Sequence, residues 1–174
     1  MSSSSPPWSE SLIARGLAFG LFSNRSVLVV PNCGWTGSEC DLLIVEPSLR
    51  IIDVEVKISR SDLRADAKKD KWWVYRPWSR RAEPKVKRQW PDKVWKHYYA
   101  MPKEIWDAKL LLEINPASGV LLLERDGRCS GGIRISVVRK ATPDRLAKPI
   151  NPADAIDIAR LASLRMWAAL KDKE

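Results

Sequence analysis

Two short segments near residue 50 constrain the fold of this chain most. Residues 41–45 and 51–57 consist mainly of Ile, Val and Leu, and aliphatic segments rich in β-branched residues favour β-strands. Residues 48–50 lie in the short turn between them. The sequence therefore predicts two adjacent strands of one β-sheet.

The second predicted strand carries charged side chains on one face. Because successive side chains of a strand point to opposite sides, Asp53, Glu55 and Lys57 share one face. Asp41 begins the neighbouring strand. Mg²⁺ prefers oxygen ligands and is usually bound by one or two carboxylates, a requirement that Asp41 and Glu55 meet. The ammonium group of Lys57 would reach the same site, where it could orient water or stabilise charge on a phosphate.

A purely structural interpretation of these residues is also open. Antiparallel hairpins commonly carry one polar face in contact with water, and an Asp followed later by Glu-x-Lys also occurs by chance. The charged face of residues 51–57 could therefore be a solvated surface. The flanking sequence favours the first interpretation.

A helix is predicted on the N-terminal side, over residues 9–22, with Ser9 as its N-cap. Glu10 falls on the same face as the apolar Ile13 and Leu17. A carboxylate on an apolar face is costly unless it is paired or binds a metal, although in the first turn it can interact with the helix dipole. Glu10 is therefore a candidate site residue.

A second helix is predicted directly after the charged strand. Residues 58–66 change from the period of a strand to that of a helix, with Ser59 or Ser61 as the N-cap. This helix contains Arg60 and Arg64. A basic helix would thus begin beside the candidate metal ligands.

The order of these elements resembles the PD-(D/E)XK nuclease superfamily. Residues 37–41 and 54–66 resemble, more specifically, MmcB-like DNA-repair proteins and related phage-borne nucleases, and residues 97–102 resemble the strand-to-proline segment that follows in that group. The resemblance implies an α/β fold with a restriction-endonuclease-like core, in which helices flank a central mixed β-sheet. Residues 68–93 depart from the pattern, because this segment is longer and richer in tryptophan than expected.

The resemblance also implies a function and roles for individual residues. Asp41 and Glu55 would ligate Mg²⁺ or Mn²⁺, Lys57 would be the catalytic lysine, and Glu10 would be the accessory acid of the first helix. The expected activity is metal-dependent hydrolysis of DNA phosphodiester bonds by an endonuclease. DNA repair, recombination and phage DNA processing are the expected settings.

Basic residues are concentrated in one window, which independently indicates nucleic-acid binding. The chain has a formal net charge of +9, and residues 57–103 contain fifteen Lys or Arg against five Asp or Glu. Charge concentrated in this way is typical of surfaces that bind nucleic acid. The residues expected to contact DNA are Arg60, Lys69, Lys71, Arg76, Trp78, Arg80, Arg81, Lys85, Lys87 and Arg88.

Tryptophans are interleaved with these cations. Aromatic rings can stack on unpaired bases while neighbouring cations contact phosphates. Trp72 and Trp95 are expected to cover the core. Trp78 and Trp90, each next to a proline, are candidates for a substrate surface.

The length of 174 residues predicts a single domain. Residues 1–8 are expected to form a disordered leader, and residues 9–174 a nuclease-like domain with a basic, tryptophan-rich insertion around 68–93. No apolar run is long enough to span a bilayer. The cysteines lack the paired spacing of a zinc site, which favours a reducing cytoplasm; they are Cys33, Cys40 and Cys129.

The C-terminal half supplies further elements of the predicted fold. Residues 104–113 are expected to form a short helix, and residues 119–124 and 133–138 a hairpin at the edge of the sheet. Residues 152–170 show helical spacing of apolar side chains, which predicts a helix packed on the core. His97 is the sole histidine, so a Ser/His/Asp or Cys/His site is not expected.

Two other functions are open on the sequence alone. The chain could be a non-catalytic nucleic-acid-binding module, with Asp53, Glu55 and Lys57 engaged in salt bridges. The basic, tryptophan-rich window could instead contact a protein, in which case DNA affinity would depend little on salt. The nuclease interpretation also allows a homodimer, because many sites that cut both strands are formed by two protomers related by symmetry.

Overall fold

A six-stranded mixed β-sheet forms the centre of the computed structural model, which describes residues 7–74, 86–129 and 132–171. The strands are β1 (Leu28–Cys33), β2 (Cys40–Val45), β3 (Ile51–Val56), β4 (Trp73–Val74), β5 (Val86–Lys87), β6 (Lys96–Pro102), β7 (Gly119–Arg125) and β8 (Ile133–Arg139). The α-helices are α1 (Glu10–Leu17), α2 (Arg60–Asp66) and α3 (Pro152–Lys171). Single-turn 3₁₀ segments cover Asp70–Trp72 and Lys103–Ile105, a longer one covers Ala108–Leu112, and a π-helical turn covers Ala18–Phe22.

The order of strands in the large sheet is β1-β2-β3-β6-β7-β8. The outer pairs are antiparallel, whereas β6 runs parallel to both β3 and β7. β4 and β5 form a separate two-stranded ribbon. The structure confirms the predicted α/β class, with a mixed central sheet and flanking helices.

The register of β3 decides which side chains meet on each face of the sheet. Leu43 of β2 pairs with Asp53, and Tyr99 of β6 pairs with Glu55. Paired residues point to the same side of a sheet, so the charged face of β3 adjoins the side chains of His97 and Tyr99. All six residues of β3 are buried, which contradicts the interpretation of its charged face as a solvated surface.

Each face of the sheet is covered by its own hydrophobic cluster. On one side, α1 places Ile13 and Leu17 against Val54 and Val56 of β3. On the other side, Leu63 of α2 packs with a cluster built on β6 and β7, and Ile158 of α3 packs with a cluster built on β1 and β2. The charged face of β3 lies on this second side.

The N-caps predicted from the sequence are confirmed. Ser9 Oγ accepts a hydrogen bond from the backbone N–H of Leu12, and Ser59 Oγ accepts one from that of Asp62. Both caps satisfy donors that a helix leaves unpaired in its first turn. They set where α1 and α2 begin and therefore where the side chains next to β2 and β3 point.

Several predicted boundaries are corrected. The α-helix predicted over residues 9–22 ends at Leu17 and continues as the π-helical turn, and the helix predicted over residues 104–113 is replaced by 3₁₀ turns. Residues 1–6 of the predicted leader lie outside the described residues. Trp8 is half-buried, because its ring packs against the α1 cluster. No helix among residues 7–74, 86–129 and 132–171 is long and apolar enough to cross a membrane.

The C-terminal helix packs on the core less completely than predicted. Ile158 is its buried residue, whereas Ile156, Leu164 and Trp167 are exposed. The first half of α3 contacts the sheet near β1, and all residues from 163 to 171 are exposed.

Gly119 provides a test of the packing between β6 and β7. A Cβ at this position would overlap the ring of Tyr98 and lie 2.8 Å from the backbone nitrogen of Ala141. Because overpacking displaces neighbours, we expect Gly119→Ala to lower the free energy of unfolding by about 1–3 kcal/mol. Urea denaturation measures the change. Gly127→Ala is the matched control, since nothing lies within 4 Å of its added Cβ; equal stability of the two variants would contradict the assigned packing.

Candidate active site

Asp41, Glu55 and Lys57 come together where β2 and β3 leave their paired region. Leu42 pairs with Val54, so the next step of the register sets Asp41 opposite Glu55. The Oδ2 atom of Asp41 accepts a hydrogen bond of 2.7 Å from the backbone N–H of Val56. The side chain of Asp41 thereby continues the contact between the two strands and is held in a fixed position.

Glu55 is surrounded by three ammonium groups. Its Oε2 atom lies 2.9 Å from Lys57 Nζ and 3.1 Å from Lys69 Nζ, and its Oε1 atom lies 2.7 Å from Lys71 Nζ. Burial opposes ionisation of Glu55, but Lys71 and Lys57 outweigh it and lower the pKa of this carboxyl group below its usual value. Glu55 is therefore ionised although it is completely buried.

Asp66 of α2 completes the arrangement and holds Lys57 from the opposite side. Its Oδ1 atom lies 3.3 Å from Lys57 Nζ and 3.2 Å from Lys69 Nζ. Its Oδ2 atom accepts hydrogen bonds from the Tyr99 hydroxyl, at 2.6 Å, and from Trp72 Nε1, at 3.1 Å. Burial opposes ionisation here too, but the charges of Lys71 and Lys57 and the hydrogen bond from Tyr99 lower the pKa of Asp66 well below its usual range.

A second buried acid, Asp53, lies deeper in the same face. Its Oδ2 atom is 3.8 Å from Lys71 Nζ and 3.8 Å from His97 Nε2. Burial raises the pKa of Asp53 to about 7, because the attraction of Lys71 offsets only part of the lost hydration. His97 Nδ1 is 2.8 Å from Ser118 Oγ, and burial followed by the charge of Lys71 lowers the pKa of this imidazole well below its usual value. His97 is therefore neutral at pH 7.

Asp41 differs from the other acids in its surroundings. Among the described residues it takes part in no ion pair, and its side chain lines a cavity of about 690 Å³ that Glu10 of α1 also lines. Burial, followed by the negative charge of Glu55, raises the pKa of Asp41 to about 6. A cation beside Asp41 would relieve this repulsion.

Asp41 and Glu55 are the carboxylates that would hold a hard divalent cation, and in this structure both oxygens of Glu55 lie beside ammonium groups. No group of three or more His, Cys, Asp or Glu side chains in the described ranges is arranged to hold a metal ion, but Mg²⁺ sites commonly use one or two carboxylates together with water and phosphate oxygens. Lys57 and Lys71 are almost completely buried, whereas the side chain of Lys69 is 46% exposed. Outward movement of Lys69 would remove one of the two ammonium groups beside Glu55 Oε2, and Lys57 Nζ would remain at 2.9 Å from this oxygen.

Of the residues predicted to contact DNA, some are at least partly exposed, Lys71 is buried, and the others lie outside the described residues. Arg60, Lys69 and Lys87 are at least partly exposed, and Arg88 pairs with Asp92 at 3.1 Å. Arg76, Trp78, Arg80, Arg81 and Lys85 lie outside the described residues.

One prediction for the basic window needs correction. Lys71 was expected to contact DNA, but its side chain is 3% exposed and points to Glu55, so it belongs to the interior. Trp72 is buried as predicted. Trp90, a candidate for the substrate surface, is half-buried and donates its indole N–H to the backbone oxygen of Thr142 at 2.9 Å, and its contact with substrate stays a prediction.

Asp66 is the functional candidate that sequence reasoning missed. It lies three residues after the buried Leu63 in α2, so it faces the same side of the helix. A carboxylate on the apolar face of a predicted helix was the signal that identified Glu10, which is exposed in the structure, and the same signal was present for Asp66. Lys71 carried no comparable signal, because lysines in a basic window are usually solvated.

Comparison with known proteins supports the fold. No family model and no curated protein matches the chain. The structure is similar to that of the SPO1766 protein of unknown function from Silicibacter pomeroyi, with a TM-score of 0.57 and 20% sequence identity, covering 94% of this chain and 90% of that one. At this identity the similarity concerns the arrangement of the elements alone.

Asp66→Asn tests whether Asp66 holds the buried charges together. The substitution leaves Lys57 and Lys69 without one of their acidic partners, and removing one member of a buried ion network typically costs about 3–5 kcal/mol. We expect a loss of about 3 kcal/mol in the free energy of unfolding, measured by urea denaturation. Asp62→Asn is the control from the same helix, since Asp62 is 37% exposed and 4.0 Å from Lys57 Nζ; an equal loss in both variants would argue against the special position of Asp66.

His97→Gln tests the neutral state of the buried imidazole. The unfolded chain binds a proton at His97 near pH 6.5, whereas the folded chain does so only at lower pH. Above about pH 6.5 the imidazole is neutral in both states. As the pH falls below this value, the unfolded chain binds a proton that the folded chain does not, and the free energy of unfolding falls by up to about 1.4 kcal/mol per pH unit. Asp53 acts in the opposite sense because its pKa is raised.

The His97 contribution is isolated by comparing wild type and variant between pH 5 and pH 7. We expect the stability of wild type to fall more steeply toward acid than that of His97→Gln. Identical slopes would contradict a neutral imidazole in the folded state.

Proposed function

We propose that this protein is a metal-dependent nuclease that hydrolyses DNA phosphodiester bonds. The observation that carries the proposal is that Asp41, at the start of β2, meets Glu55 and Lys57, at the end of the antiparallel β3, and that Asp41 also lines a cavity. Two carboxylates and a positioned ammonium group are the components that metal-assisted phosphodiester hydrolysis requires. This agrees with the resemblance of the sequence to PD-(D/E)XK nucleases.

Each residue has a defined task in this proposal. Asp41 and Glu55 would hold Mg²⁺ or Mn²⁺, which supplies Lewis acidity and lowers the pKa of a bound water. Lys57 is restrained by Glu55 and Asp66. Its side chain is therefore ordered before the reaction, and no further conformational entropy is lost during it. There it can orient the attacking water and stabilise the charge that develops on the phosphate. Glu10 lines the cavity beside Asp41 and would complete the acidic surroundings.

DNA is the proposed substrate because of the charge of the chain. The net charge of +9 is contributed mainly by residues 57–103, and a polyanion binds such a surface with release of counterions. In the described part of this window, Arg60 and Lys87 are exposed. Binding through phosphates predicts an affinity that falls steeply with salt, which distinguishes DNA from a protein partner. The roles in repair, recombination or phage DNA processing stay predictions, as do the endonucleolytic mode, the homodimer and the cytoplasmic location.

A non-catalytic DNA-binding module is the second candidate. One observation favours it. In the described structure Asp53, Glu55 and Lys57 each lie within 4 Å of a side chain of opposite charge. If these pairs are permanent, Glu55 has no free oxygen and the network is purely structural. Cleavage that depends on metal separates the two candidates.

Asp41→Asn and Lys57→Ala test the catalytic proposal directly. Asn keeps the acceptor for the Val56 N–H but removes the charge that a metal requires, so we expect at least about a hundredfold loss of cleavage. We expect Lys57→Ala to lose cleavage to a similar extent. Supercoiled, linear, single-stranded and branched DNA would be incubated with the protein in Mg²⁺, Mn²⁺ or EDTA.

The controls separate chemistry from binding and folding. DNA binding in EDTA should be nearly unchanged in Asp41→Asn, and circular dichroism would verify the fold of both variants. Asp154→Asn, on the remote helix α3, is the control for loss of one carboxylate and should retain activity. Cleavage at the wild-type rate by both site variants would overturn the nuclease proposal, and binding without cleavage on every substrate would favour the non-catalytic module.

A further inference from the structure

The cavity beside Asp41 lies between α1 and the ends of β1, β2 and β3 and has a volume of about 690 Å³. Sites for small organic groups usually have roughly 300–1,000 Å³. Its walls are largely aliphatic, and its polar side chains include two carboxylates. The aliphatic lining includes Ala14, Ala18, Val29, Leu42, Val56 and Ile58.

A local break in the edge strand shapes this cavity. Pro31 pairs with Leu42 and Cys33 pairs with Cys40, so Asn32 stands opposite Asp41 without joining the ladder. Asn32 has a φ of 49°, in the left-handed region that residues other than glycine rarely adopt. Asn32 and Asp41 both line the cavity. An amide and a carboxylate thus face the same space at the end of the sheet.

An aromatic ring and cations complete the surroundings. Trp8 immediately precedes α1 and lines the cavity. The guanidinium group of Arg125 lies over its ring, 4.6 Å from the centroid, an arrangement that favours a fixed ring orientation. Arg15 of α1 also lines the cavity and is exposed.

We propose that this cavity binds the base of an unpaired nucleotide adjacent to the phosphodiester at Asp41, so that single-stranded or frayed DNA is the preferred substrate. This inference rests on the proposed nuclease function and specifies its substrate. A base has flat apolar faces, which suit an aliphatic cavity and an aromatic ring. Its exocyclic amino groups donate hydrogen bonds to carboxylates and amide oxygens, which Glu10, Asp41 and Asn32 supply.

The base must be unpaired to enter. In a duplex each base is stacked and paired, and a pocket of this kind accepts a base only after it leaves the helix, at an energetic cost that single strands do not incur. Because Asp41 belongs both to the cavity and to the candidate catalytic group, a base in the cavity would bring its own phosphate close to Asp41. The cavity would therefore make the protein prefer single-stranded or frayed DNA over a closed duplex.

The test measures binding in EDTA, where the metal-dependent reaction cannot proceed. The anisotropy of a labelled single-stranded oligonucleotide and of the corresponding blunt duplex would be followed with wild type, Trp8→Ala and Ala14→Phe at one fixed salt concentration. Trp8→Ala removes the aromatic wall, and Ala14→Phe fills the cavity. Both variants should bind the single strand about tenfold more weakly, the usual scale of one stacked base, with unchanged affinity for the duplex.

Two further variants serve as controls for loss of structure. Trp167→Ala removes a tryptophan that is 63% exposed on α3 and should leave both affinities unchanged. Trp8→Phe should restore most of the single-strand affinity, whereas a variant that merely unfolds would lose binding to both DNA forms. Wild-type affinity in both cavity variants, or equal weakening on both forms, would overturn the proposal and leave the cavity to a ligand of another kind.

The outcome is distinguishable from that of the nuclease proposal. Selective loss of single-strand binding in the cavity variants, without cleavage by wild type in Mg²⁺ or Mn²⁺, would support the base pocket and reject hydrolysis. Metal-dependent cleavage at equal rates on single-stranded and duplex DNA would support hydrolysis and reject the pocket as selector.

Discussion

The burial of charge between β3 and α2 is the constraint on which the rest of this structure depends. Glu55, Lys57 and Asp66 are almost completely excluded from water, and the desolvation of such groups costs several kcal/mol for each ion unless partners replace the lost hydration. Lys71, Trp72 and the hydroxyl of Tyr99 supply these partners. The α2 helix and the 3₁₀ turn after it must therefore cover β3 closely. This requirement fixes the position of α2 on the sheet.

The lysines and carboxylates of this interior nearly balance in charge, and one carboxylate has no lysine paired with it. Three lysines face the acids Asp53, Glu55 and Asp66, leaving Asp41 without an ion pair in the described structure. Asp41 is also the acid that lines the open cavity. In the proposed function, a divalent cation would approach the unneutralised carboxylate of Asp41 from the cavity side. The exposed Lys69 is the group that such a cation would displace.

The sequence predicted the strands, the N-caps and the α/β class because these depend on local patterns. The alternation in β3 and the serines before α1 and α2 act within a few residues. The edge strand β1 was missed, since its Pro and Asn obscure the alternation. The partners of Glu55 were only partly foreseen: Lys57 was placed correctly, but Lys71 was assigned to a surface because its burial is set by distant residues on β3 and β6. The catalytic roles of Asp41, Glu55, Lys57 and Glu10 stay predictions.

The parallel pairing of β3 with β6 has a consequence for how the protein reaches its native state. Residues 57–95, which include the basic, tryptophan-rich segment, separate these two neighbouring strands. Closing a long loop costs entropy before the contacts it permits are gained, and non-local pairing slows folding. Tyr99 and His97 can reach their partners on β3 and α2 only after this closure. We therefore expect the charged interior to form late, with its lysines and carboxylates hydrated until then.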